Sequence, residues 1–135
     1  MPQYWLLKTE PTVYSYDDLV KEKKTVWSGV SNNAALKNLR SMKKGDLAFI
    51  YHTGDEKAVV GIAEVVSGPY ADPGAGDPKL VVVDLKPKGL LKNPVSLAAI
   101  KADPRFAAFA LVRIARLSVM PVDKPVWDAI LSMSK

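Results

Sequence analysis

The sequence contains no cysteine and a single histidine, His52. The first absence excludes disulfides and thiolate metal sites. The second excludes a metal centre built from several histidines of one chain. A nucleophilic triad would have only His52 as its base, a strand-end residue between Tyr51 and Thr53. No apolar run approaches the ~20 residues of a membrane span. The opening MPQYWLLKTEP lacks the basic start and apolar stretch of a secretory signal. A soluble cytoplasmic protein is therefore expected. Gly74-Ala75-Gly76 lacks the third glycine and the strand–turn–helix setting of a phosphate loop. The fourteen carboxylates show no pairing that points to glycosidase chemistry. The expectation is a protein that is not an enzyme and needs neither cofactor nor metal.

What remains is a chain of 135 residues, 48% hydrophobic and 24% charged, which is a globular balance for one domain. Its net charge is +5, unevenly distributed. Residues 21–44 hold seven Lys/Arg against Glu22, and residues 86–116 hold seven against Asp103. The rest of the chain is acidic. Such segments are either solvated faces or two stretches folded to follow a phosphate backbone.

Residues 3–7 suit a first strand, ended by Pro11. Ser15 with Asp18 forms a capping-box start for a helix over about 16–22. Residues 26–30 are too short and glycine-interrupted to define an element. Asn32 or Asn33 caps a helix that carries Ala35, Leu36, Leu39 and Met42 on one face and stops at Gly45. Strands follow at 47–52 and 58–66, joined by a turn at 53–57, with Gly61 marking a bulge or a close backbone approach. Residues 67–78 read as a loop and 80–85 as a strand. Ser96 caps a short helix, 97–102, broken at Asp103-Pro104, with a turn of helix around Arg105–Phe109. Residues 111–119 read as one or two strands. Asp123 caps a last helix that carries Trp127 on its apolar face. The fold class is α+β: a mainly antiparallel, strongly bent sheet or small barrel with flanking helices.

Trp27 lies between a charged helix end and Ser28-Gly29. From the residues alone it suits either core packing or a stacking surface for a planar ligand.

A series of motifs runs in order along nearly the whole chain. It comprises Tyr4-Trp5-Leu6-Leu7-Lys8-Thr9-Glu10-Pro11, Tyr14-Ser15, Asp18-Leu19, Trp27-Ser28-Gly29-Val30-Ser31-Asn32 and Met42-Lys43-Lys44-Gly45-Asp46. It continues with Tyr51-His52-Thr53, Val60-Gly61-Ile62-Ala63-Glu64-Val65, Asp72-Pro73, Leu111-Val112-Arg113, Arg116-Leu117-Ser118-Val119, Pro121-Val122 and Trp127. In these motifs the sequence resembles the EVE domain family. The resemblance implies a PUA-like fold related to the YTH domain. It also implies a non-catalytic module that reads a modified base, in particular modified cytosine in DNA, through an aromatic pocket. RNA with a modified base is the other nucleic-acid partner it allows.

Carried over from the family, Trp27 is the pocket tryptophan and Ser28 the adjacent polar contact. Thr9 borders the pocket, Asn32 is the asparagine after the tryptophan, and Tyr51, His52 and Thr53 end a strand that lines the site. Ser118 meets the base, while Lys8 and Arg116 hold phosphates. The sequence departs from the family at Ser31, usually arginine, at Tyr70-Ala71-Asp72-Pro73 for Tyr-Pro-Asp-Pro, at Leu80, often tryptophan, and at Ile114-Ala115, usually polar. Ser31 and Ala115 bear on the ligand rather than on the fold. Two other classes stand beside the reader. One is a PUA-like enzyme acting on nucleosides or RNA, dependent on Lys8, Glu10 or His52. The other is an interaction module without nucleic-acid affinity.

Overall fold

The computed structural model describes residues 3–74, 76–77, 79–114 and 116–135. Ala115, one of the departures from the family pattern, lies outside them, as do Ala75 and Pro78 of the expected 67–78 loop. Six strands form one sheet: β1 Tyr4–Thr9, β2 Thr25–Trp27, β3 Leu47–His52, β4 Ala58–Ala71, β5 Val81–Ser96 and β6 Val119–Val122. Their spatial order is β2-β5-β4-β3-β1-β6, with β2 and β6 at the two ends, so the sheet does not close. β1 and β3 run parallel, and every other neighbouring pair is antiparallel. The connection between the parallel pair holds α1 (Tyr16–Glu22), β2 and α2 (Asn33–Arg40). After β5 come α3 (Leu97–Ala102), a 3-10 turn (Pro104–Phe106), α4 (Ala110–Arg113), β6 and α5 (Lys124–Met133). The long β4–β5 ribbon shifts register at four places, and such irregularities strengthen the local twist.

Local chemistry accounts for the helix starts. Ser15 and Asp18 close a reciprocal capping box on α1. Asn32 accepts from Ala35 N at 3.1 Å, and Ser96 from Ala99 N at 3.1 Å. Asp123 precedes α5 but makes no side-chain cap bond; Pro125, in the first turn, has no N–H to satisfy.

Four boundaries differ from the sequence expectation. α2 ends at Arg40 rather than at Gly45, and a turn from Ser41 still buries Met42. β4 runs on to Ala71 through a cis Gly68–Pro69 bond, where a loop was expected. β5 continues sixteen residues, through Pro87, Gly89 and Pro94. β2 covers only Val83–Leu85 on the outer edge of β5, so those prolines need donate nothing on that side. Residues 110–113 are helical, because Arg113 N and Ile114 N bond back to Phe109 and Ala110 carbonyls, and the strand begins only at Val119.

The core lies between the sheet and the helices. α5 lays Trp127 on Phe49, ring centroids 3.8 Å apart and 20° from parallel, and beside Tyr4 at 4.6 Å. Asp46 is buried yet satisfied. It accepts from Gln3 N at 3.0 Å, Trp5 Nε1 at 3.0 Å and Lys43 N at 2.9 Å, which ties the start of β1 to the turn before β3. Tyr16 is pinned over Gly61. Its hydroxyl donates to Ile62 O at 2.8 Å and accepts from Gly89 N at 3.0 Å. A Cβ on Gly61 would lie 2.6 Å from the Tyr16 ring, so this position is a close backbone approach as well as a register shift.

Candidate functional site

Two cavities flank the C-terminal ends of the parallel strands β1 and β3. The first, about 300 Å³, is lined by Thr9 at the end of β1, Val13 and Tyr14 of the following loop, Thr25, Val26 and Trp27 of β2, and Ser28. That volume is at the lower end for small-molecule sites and suits one small planar group. Trp27 is held by its backbone against Val83 of β5 and by its ring against Tyr14, edge-on at 6.1 Å and 85°. Only 8% of Trp27 is exposed, so it is a fixed wall rather than a free plate. Two of the lining residues form an exposed apolar lip, Val13 at 81% and Val26 at 47% exposure.

The loop that carries Val13 and Tyr14 is held by Thr9, whose Oγ1 donates to Tyr14 O at 2.7 Å. Tyr14 donates its hydroxyl to Glu22 of α1. Burial, and then the hydrogen bond to this carboxylate, push the Tyr14 phenol up to about 12. The ring therefore stays neutral at any ordinary pH. Thr9, Thr25 and Ser28 add hydroxyl-bearing side chains to the aromatic and apolar ones that line this cavity.

The second cavity, about 200 Å³, is lined by Lys8, Tyr51, Thr53, Gly54, Lys57, Leu97, Lys101, Leu111 and Val112. The β1–β3 register explains the division. Lys8 pairs with Tyr51 and Thr9 with His52, and successive strand residues face opposite sides. Lys8 Nζ sits 5.8 Å from the Tyr51 ring centroid. Burial lowers the Lys8 ammonium below the ordinary lysine value and raises the Tyr51 phenol above its own.

The residues named from the sequence thus divide among several places. Thr9, Trp27 and Ser28 meet in the first cavity, and Lys8, Tyr51 and Thr53 in the second. Asn32 uses its side chain to cap α2. His52 lines neither cavity. Its Nε2 accepts from Tyr16 N at 3.0 Å, and its Nδ1 lies 2.7 Å from Glu56 Oε1. In the neutral ring this requires the proton on Nδ1, with both nitrogens engaged. Ser118 approaches through its backbone, its carbonyl accepting from Lys8 N at 2.9 Å. Arg116 is exposed in the turn before β6. Val13, Tyr14, Thr25 and Val26 were missed as lining residues. Tyr14 lay in a matching motif, but without a strand at 25–27 nothing placed Thr25 and Val26 opposite it.

An unclosed, mainly antiparallel sheet with this helix order is a PUA-like fold. The chain belongs to the EVE domain family, which it matches over residues 3–133. It is 43% identical to a Rhodopseudomonas palustris protein of known NMR structure, with a TM-score of 0.93 over 98% of this chain and 92% of the other. Rat thymocyte nuclear protein 1 is 29% identical over 169 residues, covering 100% of this chain and 75% of its own length. The crystal structure of human THYN1 protein in complex with 5-methylcytosine-containing DNA has 28% identity and a TM-score of 0.88 over 98% of both chains.

Proposed function

We propose that this chain is a non-catalytic binding module that takes one modified nucleobase, most readily a modified cytosine in DNA, into the first cavity. The observation that carries this reading is the cavity itself. It is a small space between a fixed tryptophan wall and an apolar lip, with the Thr9 and Ser28 hydroxyls at hand. The human relative in complex with 5-methylcytosine-containing DNA supports the same ligand class.

A base leaves its stack at a cost of a few kcal/mol, less from a single strand. Stacking on the Trp27 wall returns about 1–3 kcal/mol. In this reading Ser28 reads the polar edge of the base, and Thr9, whose hydroxyl donates to Tyr14 O, reads it as an acceptor. Val13 and Val26 are placed to cover an alkyl substituent, and an apolar contact of that size discriminates by about 1–3 kcal/mol. Discrimination between modified and plain cytosine is therefore modest, about tenfold to two-hundredfold.

The test is titration of the parent and Trp27→Ala with oligonucleotides that carry modified or plain cytosine at one position. The expected result is a preference for the modified strand in the parent and its loss in the variant. Equal binding by all four combinations would falsify the reading.

A further inference from the structure

The second cavity is cationic and holds no carboxylate among its lining residues. Lys8 enters from β1, Lys57 from the turn between β3 and β4, and Lys101 from α3. Three separate elements therefore bring lysines to the lining of one small space, together with Tyr51, Thr53 and Gly54.

The turn is built for this placement. Gly54 and Lys57 both have positive φ, 75° and 46°, which folds residues 53–57 back over the strand end. Lys57 O then accepts from Leu97 N at 2.8 Å and fixes the turn to the start of α3. Lys101 lies one helical turn beyond Leu97, on the same edge of that helix. Acids border this space without lining it: Glu10 lies against Gly54, where a Cβ would come 2.8 Å from its Oε2, and Asp55 and Glu56 share an adjoining cavity with Lys57 and Lys101. Glu10 accepts from Thr53 Oγ1 at 3.2 Å and Thr12 Oγ1 at 3.2 Å, and Glu56 is held by His52. Among the described residues, Lys57 and Lys101 form no ion pair, whereas Lys24, Lys86, Lys88 and Lys124 each do.

We infer that this cavity is a phosphate site, and that it holds a backbone phosphodiester of the strand whose base enters the Trp27 cavity. The inference rests on the nucleic-acid reading for the identity of the polymer, and on the three lysines for the chemistry. Lys8 and Thr9 are consecutive on β1 and open onto the two cavities, so a base and a nearby phosphate of one strand are engaged from opposite sides of one strand end.

Fluorescence anisotropy with single-stranded oligonucleotides at a series of salt concentrations tests the site. Each phosphate contact contributes about 0.7 to the slope of log K against log salt for single strands. The cavity holds one phosphate, so Lys57→Gln/Lys101→Gln is expected to flatten the slope by about 0.7. Raising salt from about 50 to about 200 mM then weakens the variant about 2.6-fold less than the parent. Its preference for modified over plain strands stays as in the parent. Lys57→Arg/Lys101→Arg keeps the charge and is expected to keep the slope. Trp27→Ala has the opposite signature: the slope is kept and the preference lost. A Gln double variant with the parent's slope overturns the phosphate site whatever Trp27→Ala does. If no oligonucleotide binds, inorganic phosphate followed by amide NMR decides. Saturable shifts at Gly54, Lys57 and Lys101 that vanish in the Gln double variant support the site, and their absence overturns it.

Discussion

Replacing His52 by leucine isolates one bond on which the start of α1 depends. Tyr16 N donates to His52 Nε2 at 3.0 Å, and both residues are buried. Leucine is of similar bulk but has no acceptor. An N–H left buried without a partner costs about 1–3 kcal/mol. Losing the contact with the half-exposed Glu56 adds less than about 1 kcal/mol. The expected destabilisation is therefore about 1.5–3 kcal/mol. Unfolding entropy of about 2.1 cal/mol/K per residue means that a chain of this length loses about 3.5 °C per kcal/mol. His52→Leu should thus melt about 5–10 °C below the parent in a circular-dichroism scan. His52→Gln, which keeps a side-chain oxygen within reach of Tyr16 N, should lose less than half of that. Hydrogen exchange at the Tyr16 amide should accelerate in the leucine variant and much less in the glutamine one. If His52→Leu melts within about 1 °C of the parent, or if the two variants melt together, the bond does not hold α1 and the argument fails.

Other perturbations probe other parts of the structure. Gly61→Ala forces a methyl against a Tyr16 ring pinned at both sides of its hydroxyl, and should cost about 1–3 kcal/mol in urea denaturation. Tyr16→Leu in the same chain should make the alanine nearly neutral. Asp18 is held below the ordinary carboxylate value, chiefly by the hydrogen bond from Ser15 N. Its contribution is therefore present above the unfolded value of about 3.9 and lost as pH falls through the lower folded value, so Asp18→Asn should flatten the acid limb of stability below about pH 4.

Sequence legibility followed the locality of the signal. α1 and α3 were readable because Ser15 with Asp18, and Ser96, act within three residues of themselves. Trp127 was readable from a helical face, and β3 from an unbroken apolar run. β5 was not readable past Leu85, because its prolines and glycine argue for a loop unless it is known that β4 lies on one side and that, among the described residues, no strand pairs with the other from Lys86 onward. β2 is three residues long and exists only because β5 is beside it. The same non-locality governs the site. Family motifs name whole strand ends, here Lys8-Thr9 and Tyr51-His52-Thr53, but pleating sends neighbours to different places. Trp27 remained open between packing and binding on sequence grounds. In the structure it packs on one side and walls a cavity on the other.

The parallel pairing of β1 and β3 is what makes a two-sided strand end possible. Because both strands finish at the same level, Thr9 and His52 close one side while Lys8 and Tyr51 open the other. The segments that leave these ends then build the walls. Residues 10–14 run back over β2 to form the Trp27 cavity, and residues 53–57 run to α3 to form the lysine cavity. His52 and Glu56 join the two, since the histidine holds the start of α1 behind the first cavity and the glutamate belongs to the turn of the second. A substitution at either cavity's lining should therefore act on one ligand group, base or phosphate. A substitution at His52 that breaks both contacts should loosen both walls together, lowering the preference for the modified strand and flattening the salt dependence in the same variant. Measured with His52→Leu at a temperature well below its melting point, a loss of modified-strand preference with the parent's salt slope would instead confine the effect of His52 to the base cavity.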